Sequence, residues 1–561
     1  MPSLAPTTFR PSRALVRRFG RLFPSLAILA LPCAASGQAN LTHTEDAAPI
    51  PQGVLRFRMT TGWTRFDERF TGTGRRSLGD DLSTDSLGPR QLPALNAVEQ
   101  GLQSLTNDNR TRLTFGRLAA SSGARIVTTP FVLEYGVTRR LSVGVLIPIV
   151  QTRQAVHITV NSDSTGNVAF VPATARGNAA QANAAVFAAF KGAADSLTKL
   201  ITQCPANPLA SGCAAVNANV PDANAARLQA QTFADAVRKA LGTVDTTALV
   251  APRTNSPLAL AIDAQRNAIN TQLRKYLGAN AGATSGVFTS ANNFSYIDLQ
   301  GRNGTPGLLQ TPLGGGLDSI YTVNRLQTGD ISVGASLLVF DGFRHDTLPT
   351  RGLQTRLMVG GSFRFATSLI DTTHKLVGYT IGDGAGVEVR SAMDLIKNNL
   401  GATIAARFVK SLPRTVIAPL LGDPEATYPI PLFGNVTRTA GAVAALDITP
   451  RYLPNQYFSI DGHYGLEHTG SATYERGTSG TTCAGCNLIT GGTFVTNSRL
   501  AQRIGVGVRY STLDAYQQGR TGFPVEVSFT HLETITGDDG TAKLFRDQIQ
   551  MRLYLRVLGG K

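Results

Sequence analysis

The sequence predicts an all-β fold, a transmembrane antiparallel β-barrel of about 12 strands with an extracellular α-helical insert. Three observations predict it. The last strand-like run sets Ile549, Met551, Leu553, Leu555 and Val557 on one face and Gln550, Arg552, Tyr554 and Arg556 on the other. Successive side chains of a strand point to opposite sides, so one face is wholly apolar and the other polar. Runs of this kind recur along the chain behind an export signal. The connections between them alternate long and short, as a barrel with tight turns at one rim and loops at the other requires.

Residues 1–39 read as the signal peptide. Arg10, Arg13, Arg17, Arg18 and Arg21 form its basic region, Leu26 to Leu31 its apolar core, and Gly37-Gln38-Ala39 its cleavage site. The core is too short to cross a membrane as a helix. Pro32 before Cys33 argues against lipid attachment. Removing five arginines takes the formal charge from +16 to +11, with no Lys/Arg block in the remainder. Nucleic acid is therefore not expected as a partner. The basic surplus suits a protein among outer-membrane lipid and lipopolysaccharide.

Residues 40–561 form the barrel. Strand-like runs fall at 54–66 (Leu55, Phe57, Met59 and Trp63 on one face), 124–135 (Val127, Phe131, Leu133, Tyr135) and from 141 (Leu141, Val143, Val145, Ile147, Ile149). Pro148 predicts a bulge or kink in the third. Further runs follow at 329–340, 353–367, 385–396, 400–410, 436–449, 456–469, 499–511, 523–534 and 545–557. Long connections at 67–123 and 161–317 contrast with short ones at 136–140, 397–399 and 450–455.

The insert, 162–317, carries helical periodicity. Phe187, Phe190, Ala194, Leu197 and Ile201 step by three and four, and Leu228, Phe233, Val237 and Leu241 do much the same. Ser256-Pro257 is a cap followed by proline at the first helical position, ahead of Ile262, Ile269, Leu273 and Leu277. Of the three ways to pair Cys204, Cys213, Cys483 and Cys486, the two local disulfides are favoured in an exported chain. Cys483-Ala-Gly-Cys486 has no thioredoxin-like surroundings and reads as a loop staple.

Charge orients the strands. A lysine or arginine at the bilayer midplane costs about 2–4 kcal/mol on the lipid face. Arg56, Arg58, Arg356, Arg364, Arg390, Arg407, Arg503, Arg509, Arg552 and Arg556 must therefore face the lumen. So must Glu134, Asp330, Glu388, Asp394, Asp447, Asp461, Glu467 and Glu526, and His463 shares their face. Near parity of sign predicts a lumen laced with ion pairs rather than an ion-selective pore. Trp63, Tyr135, Tyr452, Tyr457, Phe458, Tyr510, Phe523 and Phe545 sit near strand ends, where an interfacial girdle belongs. The histidines are scattered, so no metal is expected, and no cofactor. Gly382-Asp383-Gly384-Ala385-Gly386 precedes a strand and lacks a following Lys, so it reads as a turn rather than a phosphate loop.

Thr129 to Thr138 with Val145 to Val150, and Gly329 to Gly334, resemble hairpin segments of the outer-membrane family named after the MetA pathway of phenol degradation. That family is similar in kind to FadL-like channels for hydrophobic compounds. The resemblance implies uptake of small apolar or aromatic solutes and transfers no binding residue. No N-terminal plug segment of the FadL kind is read in the sequence.

A channel is thus the first functional expectation. A receptor or adhesin acting through the insert is the second. A lipid hydrolase is the third, because Ser459, Asp461 and His463 alternate on one strand face. Neighbours at i and i+2 stand roughly 6.5–7 Å apart, long for a proton relay, so no enzyme is expected.

Overall fold

The computed structural model describes residues 46–314, 322–343, 348–369, 382, 384–419, 433–476, 492–517 and 520–556. The signal peptide, Cys483, Cys486 and Asp383 lie outside them. Twelve strands form one ladder: β1 (Val54–Phe66), β2 (Leu118–Gly136), β3 (Leu141–Val160), β4 (Ser332–Asp341), β5 (Thr350–Arg364), β6 (Gly386–Asn398), β7 (Leu400–Ser411), β8 (Val443–Tyr452), β9 (Phe458–Thr469), β10 (Arg499–Ser511), β11 (Val525–Gly537) and β12 (Phe545–Arg556). Each pairs antiparallel with its neighbours in sequence. β1 pairs with β12 from Val54↔Arg556 to Arg65↔Phe545, which closes the barrel and removes its free edges.

The alternation holds around the ring. Leu133, Val143, Ile147, Val359, Val389, Ile460, Val506, Phe529, Ile549 and Leu555 are exposed on the outer face, while the arginines and carboxylates between them are turned inward. An apolar belt this continuous is unfavourable in water and belongs in hydrocarbon. Trp63, Tyr452, Phe458, Tyr510 and Phe523 are exposed near its two margins, with Phe458 and Tyr510 in ring contact at 5.1 Å.

Two strand expectations need correction, and the interruption expected at Pro148 falls on one side of its strand only. The β2–β3 ladder runs without slip from Leu118↔Val160 to Gly136↔Ser142 with Pro130 opposite Pro148. The break lies on the other side of β3, which pairs with β4 through Leu141–Leu146 and with a short strand, Val323–Thr328, through Ile149–Gln154. The 329–340 run is accordingly not continuous, because Gly329, Asp330 and Ile331 interrupt the wall. The 436–449 run is also divided. Phe433–Thr439 belongs to a four-stranded sheet at the long-loop rim, and β8 starts at Val443. Gly441 is the crossing point, since a Cβ there would stand 1.8 Å from the Gly470 carbonyl oxygen.

Above the long-loop rim sits a helical cap: α1 (Asn96–Thr106), α2 (Arg176–Gln203), α3 (Cys213–Ala218), α4 (Val220–Ala236) and α5 (Pro257–Leu277). Ser256 caps α5 as its sequence implies, its hydroxyl accepting from the Ala259 amide at 3.1 Å. The Cys204–Cys213 disulfide joins the end of α2 to the start of α3. The cap has two sources, because α1 comes from the first long connection. It packs on α4, α5 and the π turn Val237–Leu241, and its Val98, Leu102 and Leu105 share one core with Phe190, Phe233 and Ile262. Leu228 was expected on the buried face of α4 but is exposed. That face instead carries Ala223, Ala226 and Ala230, whose small side chains let α2 approach closely, with Phe233 packed edge-on against Phe190. No helix among the described residues is long and apolar enough to cross a membrane.

Candidate functional site

The lumen gathers the charges into a ring. On one side Arg552 reaches Glu526 at 3.0 Å. Glu526 faces Arg509 at 3.6 Å, and Arg509 faces Asp461 at the same distance. Asp461 also meets Arg451 at 3.6 Å, and Arg451 donates to the Thr403 hydroxyl at 3.1 Å. Thr403 in turn donates to Asp394 at 2.7 Å, whose other oxygen takes Arg356 at 2.8 Å.

The chain just before β1 closes this ring. Asp46 pairs with Arg552, and the Ala47 amide donates to Asp394 at 3.0 Å. Ala47 is fully buried against Met358 and Ala392. Residues 46–47 therefore stretch from β12 to β6 across the interior. No sequence signal announces this contact: a segment without periodicity or a long apolar run can still dock through two polar contacts. Arg451 lies two residues beyond the 436–449 run, so the alternation there does not assign it to the lumen, whereas β8 extends to Tyr452.

Other predicted residues form separate groups. Arg56 binds Glu134 at 2.9 Å, both almost completely buried. Arg390 meets Glu388 at 3.3 Å and donates to Ser336 at 3.0 Å. Nearer the long-loop rim, Glu467 holds Arg503 at 3.0 Å and Arg407 at 3.3 Å. Arg58 is buried, whereas Arg556 is exposed at the short-turn rim. Asp447 points inward beside Gly465 yet is exposed, so water reaches that level of the lumen.

Two predicted residues serve the wall instead. Asp330 is not on a strand; its carboxylate accepts from the Ser368 amide at 2.9 Å and the Gly384 amide at 3.0 Å, sealing the break between Thr328 and Ser332. Arg364 donates to the Gly384 carbonyl at 2.8 Å and to Ser411 at 2.6 Å. The supposed catalytic row is wired otherwise than a relay. Ser459 donates to Asp461 at 3.0 Å, and the His463 ring meets the Thr449 hydroxyl at 3.2 Å, so the hydroxyl is directed at the acid rather than the base. Among the described residues no group of His, Cys, Asp and Glu could hold a metal.

The cap holds a cavity of about 420 Å³. Val98, Leu249, Val250 and Leu313 line it together with Arg238 and Lys239.

Fold and lumen together define a transmembrane β-barrel with a polar, charge-balanced interior. No family model and no curated protein matches the chain. Among solved structures it is similar to an outer membrane channel from Pseudomonas putida F1, at 7% identity and TM-score 0.37, covering 91% of this chain and 99% of that one. It is similar also to the CymD monoaromatic hydrocarbon channel, at 8% identity and TM-score 0.25, over 90% and 89% of the two chains. The toluene transporter TbuX of Ralstonia pickettii aligns at 9% identity and TM-score 0.21, over 91% and 93%. Superpositions this loose carry no argument, and the barrel rests on its own ladder.

Proposed function

We propose that the chain is an outer-membrane channel for small solutes, held shut or narrowed by its own N-terminal segment. The observation that carries this reading is the closed barrel whose inward charges pair across the lumen through Asp46 and Ala47. Solutes entering from the long-loop rim would meet Glu467 with Arg407 and Arg503 first and the Asp46 ring lower down. Small apolar or aromatic cargo, the class implied by the sequence resemblance, fits guanidinium planes that can stack on rings. Both ends of the barrel chain lie at the short-turn rim, which supports an orientation with that rim in the periplasm.

Single-channel recording in planar bilayers, with and without toluene-sized aromatic solutes, tests the proposal. Brief openings whose frequency falls as solute occupies the lumen are expected. A barrel that neither conducts nor admits solute in liposome-swelling assays, with the N-terminal segment present or released, refutes it. The cap cavity supports a second reading, a surface receptor. In that case deleting the cap abolishes partner binding and leaves conductance unchanged.

A further inference from the structure

We infer that the outer face of the barrel carries a binding site for the phosphate groups of lipid A, built by Arg65, Arg125 and Arg153. These residues sit directly opposite one another on β1, β2 and β3 (Arg65↔Arg125, Arg125↔Arg153) and are all exposed on the lipid-side face. Like charges directly opposite each other on neighbouring strands repel, so a row of three calls for an anion from outside. Among the described residues no carboxylate lies within ion-pair distance of any of the three.

The nearby carboxylates are few. Asp67 lies one row further out, beside Gly123, and is exposed. Asp547 is bonded to His531 at 2.7 Å, and Glu533 is paired with Lys543. At one end of the row Arg65 lies over the Phe545 ring at 5.5 Å, and at the other Asn324 stands opposite Arg153.

The height of the row selects the ligand. Below it the same three strands present Leu55–Tyr135–Val143, then Phe57–Leu133–Val145, then Met59–Phe131–Ile147 on the outer face. The arginines stand ten residues along each strand from the first of these rows. At about 3.4 Å per residue and a tilt near 40°, that is roughly 26 Å of height, close to the ~25 Å apolar band of such barrels. The guanidinium groups therefore emerge at headgroup level in the outer leaflet, with Trp63, Val127 and Gln151 in the row beneath and the acyl-chain surface below that. Planar forks at that depth suit a phosphate monoester anchored by hydrocarbon. The inference rests on the membrane reading and its orientation but not on conductance.

The test titrates the protein in neutral detergent with bisphosphorylated lipid A, dephosphorylated lipid A and inorganic phosphate, read by native mass spectrometry. Wild type should retain bisphosphorylated lipid A through purification-strength washing. The triple variant Arg65→Gln/Arg125→Gln/Arg153→Gln should retain at least tenfold less, while Arg139→Gln/Arg140→Gln at the opposite rim retains as much as wild type. Heat-modifiable gel mobility checks that each barrel is folded. If the triple variant does not assemble, Arg125→Gln alone should still weaken retention severalfold. Equal retention of dephosphorylated lipid A, equal loss in both charge variants, or arginine-dependent capture of inorganic phosphate without lipid would each overturn the site. A silent channel with intact lipid A retention would sink the channel proposal and leave this one standing.

Discussion

Replacing Asp46 with Asn should free the N-terminal segment and raise conductance without unfolding the barrel. Two polar contacts hold residues 46–47 in the lumen: the Asp46 pair with Arg552 and the Ala47 amide on Asp394. A hydrogen bond to a charged group contributes about 1.5–3 kcal/mol. Losing the first would shift the docked-to-free balance by roughly ten- to a hundredfold, at 1.4 kcal/mol per decade. Arg552 would not be stranded, because Glu526 remains 3.0 Å away. The barrel should therefore keep its heat-modifiable mobility, unlike an Arg552→Ala variant, which leaves Asp46 buried without its cation and Glu526 with Arg509 alone at 3.6 Å, and should cost about 3–5 kcal/mol. The assay is single-channel recording of Asp46→Asn beside wild type in one lipid mixture. A longer open time or a larger conductance step is expected, with position 47, fully buried when docked and read as an Ala47→Cys variant, newly accessible to a membrane-impermeant thiol label. Unchanged traces and an unlabelled position 47 would show that the segment is held by something other than this pair, and the gating argument would fall.

Three further perturbations probe belt, cap and loop. Phe131→Arg places a charge near the middle of the outer apolar face and should lower folding stability by about 2–4 kcal/mol, read as loss of the folded gel band in bilayer refolding; a neutral result would contradict the membrane orientation. Gly101→Val should loosen the cap alone. A Cβ at Gly101 would stand 2.5 Å from that of Ala240, and overpacking of this kind costs about 1–3 kcal/mol, so protease should cut 96–106 faster while the barrel band persists. Burial pushes the Asp81 carboxyl up to about 6, against the pull of its partner Arg69. Its contribution is thus full below pH 3.8 and lost as pH rises through 6, so exchange of residues 67–117, corrected for intrinsic rates, should quicken across that window in wild type and not in Asp81→Asn.

The parts of this fold that were legible from sequence are those where hydrocarbon imposes a steep rule. Arg552 had to face inward because the lipid side penalises it, and the same rule, applied without any knowledge of partners, turned Arg56, Arg356 and Glu526 to the face on which their ion pairs lie. The partners themselves obey no local rule. Asp46 and Arg552 are separated by 506 positions, and the residues around Asp46 have neither strand nor helix period. Only the closure of β1 on β12 brings them together. The cap shows the same division. The periodicity of α2 was plain because Phe190 and Leu197 are large, whereas α4 buries alanines, whose pattern a hydrophobic count overlooks. α1 carries a clear step at Val98, Leu102 and Leu105, but it stands in a different connection from its packing partners. Pairing between distant segments, rather than the assignment of each segment, thus decides the functional question here. An interior made of matched charges is indifferent to which carboxylate fills a given gap, and a docked terminus exploits that indifference by supplying the carboxylate itself.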